Sequence, residues 1–247
     1  MESILICEGS TDYSLLQYYM RVAHQWNDDS MKQNDVLKIR GQKSRKLVRG
    51  NDTLTIMSAG GCSRLCEALE NVLNRNRLSE PDLSGAYNKI AIVTDRDEFD
   101  TEGQFLSKIE ETLRCFGVIH ADVLVNNTWL SCKMINATGR QLEFQLLLMI
   151  VPFEENGAME TFLLKAIGEN DAYDKSIIEE CEGLVDRVDP EKKYLTGRRI
   201  ITKAKFDTYF SIRTPAEQFN ERQNILKNVK WEQYTRIQSD FRLLGEL

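Results

Sequence analysis

The chain has 247 residues, 42% hydrophobic and 28% charged, with 14 glycines, 4 prolines, 6 cysteines and 2 histidines. This length and apolar content exclude a disordered polymer and allow one full domain, or a domain with a smaller appendage. The 32 basic and 38 acidic residues give a net charge of −6. At face value that speaks against a nucleic-acid partner, because phosphate binding leaves a basic footprint.

The start lacks a basic n-region and has acids on both sides of its short apolar run, Glu2 and Glu8, so it does not read as a signal peptide. The longest apolar run, residues 146–153, is far shorter than the ~20 residues needed to cross a bilayer. A soluble, cytoplasmic protein with no membrane partner and reduced thiols is expected. Cys62 and Cys66 lie in an apolar-periodic stretch without a second Cys pair or a nearby His, so no zinc site is expected.

In chain order, Ser3 to Cys7 predicts a buried parallel strand and Tyr13 to Ala23 a helix. The alternation continues with a strand over Leu54 to Met57, a helix over Ser63 to Leu73, a strand over Ile90 to Val93 and a helix over Phe105 to Phe116. This βαβ pattern predicts an α/β fold with a mainly parallel sheet flanked by helices. Residues 25–52 show no apolar period and predict a long functional loop. Asp122 to Asn126 and Leu142 to Val151 are further strands, the second long enough to be read as a helix instead. Helices are predicted over Ala158 to Ile167, Ala172 to Leu184, Arg199 to Phe210 and Pro215 to Lys227, with a last one from Trp231. Residues 1–152 therefore predict an α/β core, and 153–247 a helical extension packed on it.

In an open α/β sheet, ligands bind at the carboxyl ends of the strands. Two predicted strands end in acids there. The first runs Ile4-Leu5-Ile6-Cys7-Glu8-Gly9-Ser10-Thr11-Asp12, and the second Ile90-Ala91-Ile92-Val93-Thr94-Asp95-Arg96-Asp97. If the two strands are neighbours, Glu8, Asp95 and Asp97 converge. Close carboxylates repel one another and raise their pKa values unless a cation neutralises them. Mg²⁺ or Mn²⁺, a hard cation held by one or two carboxylates plus substrate phosphates, solves that problem. Read alone, Asp12, Asp97, Glu98 and Asp100 are equally well helix-capping charges; occurring together after two apolar strands, the motifs favour a metal site. The Asp-x-Asp fits neither a calcium loop nor an aspartyl-phosphate motif, since Phe99 stands where a ligand or a Thr/Val is required.

This pairing of strand-Glu-Gly-x-x-Asp with a later strand ending in Asp-x-Asp resembles the TOPRIM domain of topoisomerases, primases, small ribonucleases and OLD-family nucleases, over about residues 1–130. The resemblance implies that Glu8 is an acid/base or metal-linked carboxylate, that Asp95 and Asp97 are metal ligands, and that Asp12 is an additional acid of the OLD type. It further implies an acid on the helix after Pro152 to Gly157, namely Glu160, and a late lysine, Lys203 or Lys205. OLD nucleases carry an ATPase on the same chain, whereas no Gly-x-x-x-x-Gly-Lys-Ser/Thr occurs here. The chain thus resembles small stand-alone TOPRIM effectors of phage defence, acting alone or with a separate ATPase partner.

Two basic runs supply a place for a polyanion. Lys38, Arg40, Lys43, Arg45, Lys46 and Arg49 lie in the predicted loop with no acid among them, and Lys192, Lys193, Arg198, Arg199, Lys203 and Lys205 form a second acid-free stretch. His24 and His120 sit in apolar-rich surroundings and read as structural. The absence of Gly-x-Ser-x-Gly and Gly-x-Gly-x-x-Gly leaves serine-hydrolase and dinucleotide readings without support.

Two functions follow as expectations. One is a Mg²⁺- or Mn²⁺-dependent endonuclease acting on RNA or DNA, as a monomer or homodimer. The other is a latent, non-catalytic effector docked on a separate ATPase. The net charge no longer opposes a polyanion, because residues 154–191 hold 12 acids and 3 bases and the rest of the chain is basic by three.

Overall fold

A computed structural model of the protein describes residues 1–29, 43–98, 100–215 and 222–247. Strands β1 (Glu2–Cys7), β2 (Asn27–Asp28), β3 (Ser44–Arg49), β4 (Asp52–Ser58), β5 (Lys89–Asp95), β6 (Trp129–Ile135) and β7 (Gln141–Val151) make one sheet in the order β2-β3-β4-β1-β5-β7-β6. Helices α1 (Ser10–His24), α2 (Leu65–Arg77) and α3 (Thr101–Cys115) connect the first strands. The later helices are α4 (Met159–Asn170), α5 (Ala172–Val188), α6 (Arg198–Arg213), α7 (Arg222–Asn228) and α8 (Thr235–Asp240), with 3-10 turns at Trp231–Gln233 and Arg242–Glu246.

The fold is α/β as predicted, but the sheet is mixed rather than mainly parallel. β4, β1, β5 and β7 run parallel in the centre, while β2, β3 and β6 pair antiparallel at the two edges. The reason is connection length. Arg49 pairs with Asp52 across a two-residue turn at Gly50-Asn51, where Gly50 takes φ +61°, and so short a link permits only antiparallel neighbours. β6 and β7 are likewise joined by a short turn, in which the Asn136 side-chain oxygen accepts the N–H groups of Thr138 and Arg140.

Alternation along the central strands sends side chains into two cores. Leu5, Val93, Leu147 and Met149 face α1 and the C-terminal helices, packing with Phe162, Phe206, Trp231 and Phe241. Ile4, Ile6, Ile92 and Leu148 face α2 and α3, against Leu69, Val72 and Ile109. Strands buried on both faces read as unbroken apolar runs, which is why β1, β5 and β7 stand out in the sequence.

Two sequence expectations are corrected. The predicted long loop at 25–52 contains β2 and β3, its residues 30–42 lying outside the described part. Asp122 to Asn126 is not a strand: Val123 and Val125 are exposed and only Leu124 is buried. The strand on that side is β6, whose buried Leu130, Cys132 and Met134 alternate with exposed residues. Leu142 to Val151 is a strand, as predicted, and the helical alternative falls away. Of the helix predicted over Pro215 to Lys227, residues 216–221 lie outside the described part and α7 forms its end. No helix among the described residues is long and apolar enough to cross a membrane.

Candidate functional site

The register of the parallel strands builds the site. Cys7 lies opposite Val93, so the next residues, Glu8 and Thr94, meet at the strand ends. The Thr94 hydroxyl donates to the Glu8 carboxylate at 3.0 Å. The Glu8 backbone is fixed as well, because its carbonyl accepts the N–H groups of Gly60 and Gly61 at 3.0 and 2.9 Å. Gly60 and Gly61 adopt φ +82° and +131°, so the Gly-Gly pair makes the turn that leaves β4 while clamping the tip of β1.

One helical turn beyond Glu8, the Asp12 carboxylate accepts the Gly9 N–H at 2.9 Å, the reciprocal half of a capping box at the start of α1. Asp95, the last residue of β5, accepts the Met159 N–H at 2.9 Å and thereby caps α4, which brings Glu160 to the same place. The bonds by which Asp12 and Asp95 cap two helices also bring both carboxylates to one cleft. Gly157, just before α4, is required there. Its φ is +157°, and a Cβ would stand 2.8 Å from the Thr161 side chain.

Glu8, Asp12, Asp95, Asp97 and Glu160 line one cleft of about 100 Å³, facing Arg198, Arg199, Thr202 and Lys203 from the first turns of α6. Glu8, Asp12 and Glu160 are at most 7% exposed. Burial, followed by repulsion from Glu160 and Glu8, pushes Asp12 up to about 7 against the opposing pull of the Gly9 N–H and the Lys203 ammonium. Asp95 is raised well above the ordinary carboxylate range by burial and then by Asp12 and Glu8. Glu8 is raised by burial, with Thr94 opposing and Asp97 adding.

Asp97 differs from the others. It is exposed at the rim, takes φ +51°, donates its N–H to Gly157 O at 2.8 Å and faces Arg198 at 3.8 Å. Arg96 between the two aspartates points the other way, donating to the carbonyls of Pro152 and Phe153 and pairing with Glu102. That residue anchors the segment leading to α4. Lys205 also turns away, pairing with Asp186 at 3.0 Å, so of the two late lysines it is Lys203 that lines the cleft.

The two basic runs part company here. Lys38 and Arg40 lie outside the described residues. Arg45 pairs with Asp28 at 2.7 Å, Lys46 is buried, and Arg49 donates to Leu247 O at 2.7 Å while stacking over Trp26 at 4.4 Å. Lys43 is exposed, and its carbonyl accepts the Ser58 N–H at the end of β4. The histidines lie elsewhere, His24 against Tyr19 and His120 beside Glu110.

Sequence reading missed Thr94, Thr202 and Gly157. The signal for Thr94 was its place immediately before Asp95, with a strand register that sets it beside Glu8. Gly157 and Thr202 had none that sequence alone would single out.

Among the described residues no three His, Cys, Asp or Glu side chains are gathered into a ready-made metal cage. The donor set nevertheless suits a hard divalent cation, which needs only one or two carboxylates and completes its shell with water and phosphate. The fit is electrostatic: Glu8, Asp12 and Asp95 are buried together, each raised by its neighbours, and a cation would relieve that repulsion.

A structure titled as a hypothetical protein, PH0156 from Pyrococcus horikoshii OT3, superposes with a TM-score of 0.51, covering 99% of this chain and 97% of its own, at 17% identity. That likeness concerns the fold alone. A search of curated proteins gives no match. The model of one protein family, described as Protein of unknown function (DUF3226), matches residues 2–241, and the chain belongs to that family.

Proposed function

We propose that the protein is a divalent-metal-dependent phosphodiester hydrolase acting on nucleic acid. The observation that carries this reading is the cleft itself, with four buried or half-buried carboxylates on one wall and three cations of α6 on the other. An all-acidic pocket would repel a phosphate, and an all-basic one would bind it without providing a base; this cleft has both.

In this reading Glu8 and Asp95 would hold Mg²⁺ or Mn²⁺, with Asp97 joining from the rim. When bound, the metal would neutralise charge developing on the phosphoryl group. Asp12, pushed up to about 7 chiefly by burial, is suited to moving a proton, since a general acid/base works best with a pKa near the operating pH. Arg198, Arg199 and Lys203 face the acids and can bind the non-bridging oxygens and orient the scissile bond. Lys205, occupied by Asp186, has a structural task in this scheme.

The test is cleavage of end-labelled RNA and DNA by the purified chain with Mg²⁺, with Mn²⁺ and with EDTA. Metal-dependent products that disappear in Glu8→Gln and Asp95→Asn, with circular dichroism unchanged, are the expected result. Cleavage that persists in both variants would remove the assignment.

A further inference from the structure

The segment leading into the cleft presents an aromatic ring to solvent. Tyr194 is 70% exposed, yet its backbone is not loose: the Asp189 carboxylate accepts the N–H groups of Lys193, Tyr194 and Leu195 at 3.0, 2.7 and 2.7 Å. Three bonds to one carboxylate fold residues 189–195 into a fixed turn with the tyrosine at its tip. The Lys193 ammonium lies 5.1 Å from the ring centroid, and Lys192 is exposed beside it.

Position relative to the cleft gives the turn a meaning. Tyr194 precedes Arg198 by only Leu195, Thr196 and Gly197, so the two Cα atoms are at most ~14 Å apart along an extended backbone. Nucleotides stacked along one strand rise ~3.4 Å each, so the two sites lie within a few nucleotides of each other. α6 itself reaches over the cleft with its cationic end: its buried residues are Phe206, Tyr209 and Phe210 in the second half, while Arg198, Arg199 and Lys203 line the opening. The buried acids beneath line a cleft of about 100 Å³. A flexible strand can bend one phosphate into that space, whereas a duplex presents its phosphates on a stiff, broad cylinder.

Resting on the hydrolase reading for the site it serves, we propose that the substrate is bound as an unpaired strand, with Tyr194 stacking on a base near the scissile phosphate. Aromatic side chains beside cations are the usual means of holding single strands, and stacking needs a base face that pairing and neighbouring base pairs would cover. Asp189 acts as a positioning residue, fixing the turn that presents the ring.

Binding in EDTA, where no hydrolysis is needed, tests this apart from the chemistry. Fluorescence anisotropy would compare a labelled 20-nucleotide strand with the same sequence as a duplex, for wild type, Tyr194→Ala and Tyr194→Trp. The expected result is tighter binding of the single strand, a loss of about 10-fold in Tyr194→Ala, near-wild-type affinity in Tyr194→Trp, and no change for the duplex. A strand carrying 2-aminopurine should be quenched by wild type and not by Tyr194→Ala. Equal affinity for strand and duplex, or single-strand binding indifferent to Tyr194→Ala, would overturn the proposal. Tyr194-dependent strand binding without metal-dependent cleavage would sink the hydrolase reading and leave this one standing; metal-dependent cleavage with duplex preferred would do the reverse.

Discussion

Two basic runs of six cations each meet different fates in this molecule. Around β3, Arg45 and Arg49 are spent on Asp28, on the carboxyl-terminal Leu247 and on the Trp26 ring, and Lys46 is buried. In the turn before α6 and along that helix, Lys192, Lys193, Arg198 and Arg199 are exposed, and Arg198, Arg199 and Lys203 line an acidic cleft. The difference lies in what the sheet places opposite each run. β3 has the single carboxylate of Asp28 beside Arg45, and backbone carbonyls and the Trp26 ring beside Arg49, so its cations become fasteners. α6 lies over the strand ends, where the neighbours are carboxylates. A charge run is thus a statement about available cations, and its use is decided by the facing surface.

The sharpest way to break this contrast is to remove cations from α6. Arg199→Ala combined with Lys203→Ala should lower nucleic-acid affinity about 100-fold, and should reduce the slope of log K against log salt by about two, with little effect on folding. If instead the melting temperature collapses, α6 is a fastener too, and the contrast fails.

The acids under α6 give a prediction with a sign. Asp12 is raised in the folded state to about 7 from an ordinary value of 3.8. A carboxylate whose folded pKa is raised contributes stability fully present below about pH 4 and lost as pH rises through 7. Asp12→Asn, which keeps an oxygen for the Gly9 N–H, should therefore stabilise the metal-free protein at pH 8 by up to about 4 kcal/mol, with the gain vanishing toward pH 4. Urea titrations at the two pH values in EDTA check it. The same substitution should reduce activity, a trade of stability for function typical of buried catalytic charges.

The other side of the contrast predicts stability effects without binding effects. Arg49→Ala should cost about 2 kcal/mol in denaturant unfolding, from the lost bonds to Leu247 and His24 carbonyls and the stacking on Trp26. Its effect on strand affinity should stay within about twofold, since its head is turned inward. Arg45→Ala should be smaller still, under about 1 kcal/mol, because its pair with Asp28 is about two-fifths exposed on the acid and about a third on the arginine. A tenfold loss of affinity in either variant would return the first run to the binding face.

Much of the fold was legible because its central strands are buried on both faces. β1, β5 and β7 read as continuous apolar runs, and the helices after Pro152 follow from their periodicity. The edges were not legible in the same way. β3 is only half-buried and carries Arg45, Lys46 and Arg49, so charge concealed a strand. The Gly50-Asn51 turn was its remaining signal. β6 alternates in the plain manner of a strand covered on one face, while the neighbouring Val123-Leu124-Val125 is more apolar and is no strand at all. Apolar content alone chose the wrong segment there, and period would have chosen the right one.

By itself, the sequence determined the α/β class, the strand-tip positions of Glu8 and Asp95, and the presence of Asp12, Glu160 and a late lysine. These follow from local rules: strand ends, turn residues and caps are set by residues a few positions apart. Only the tertiary structure decided that β1 and β5 are neighbours, that Asp95 caps α4 and so delivers Glu160, that Asp97 stays at the rim, and that Lys203 rather than Lys205 faces the acids. Each of these joins residues tens of positions apart, and sheet order, register and helix packing carry that information, which no local pattern holds.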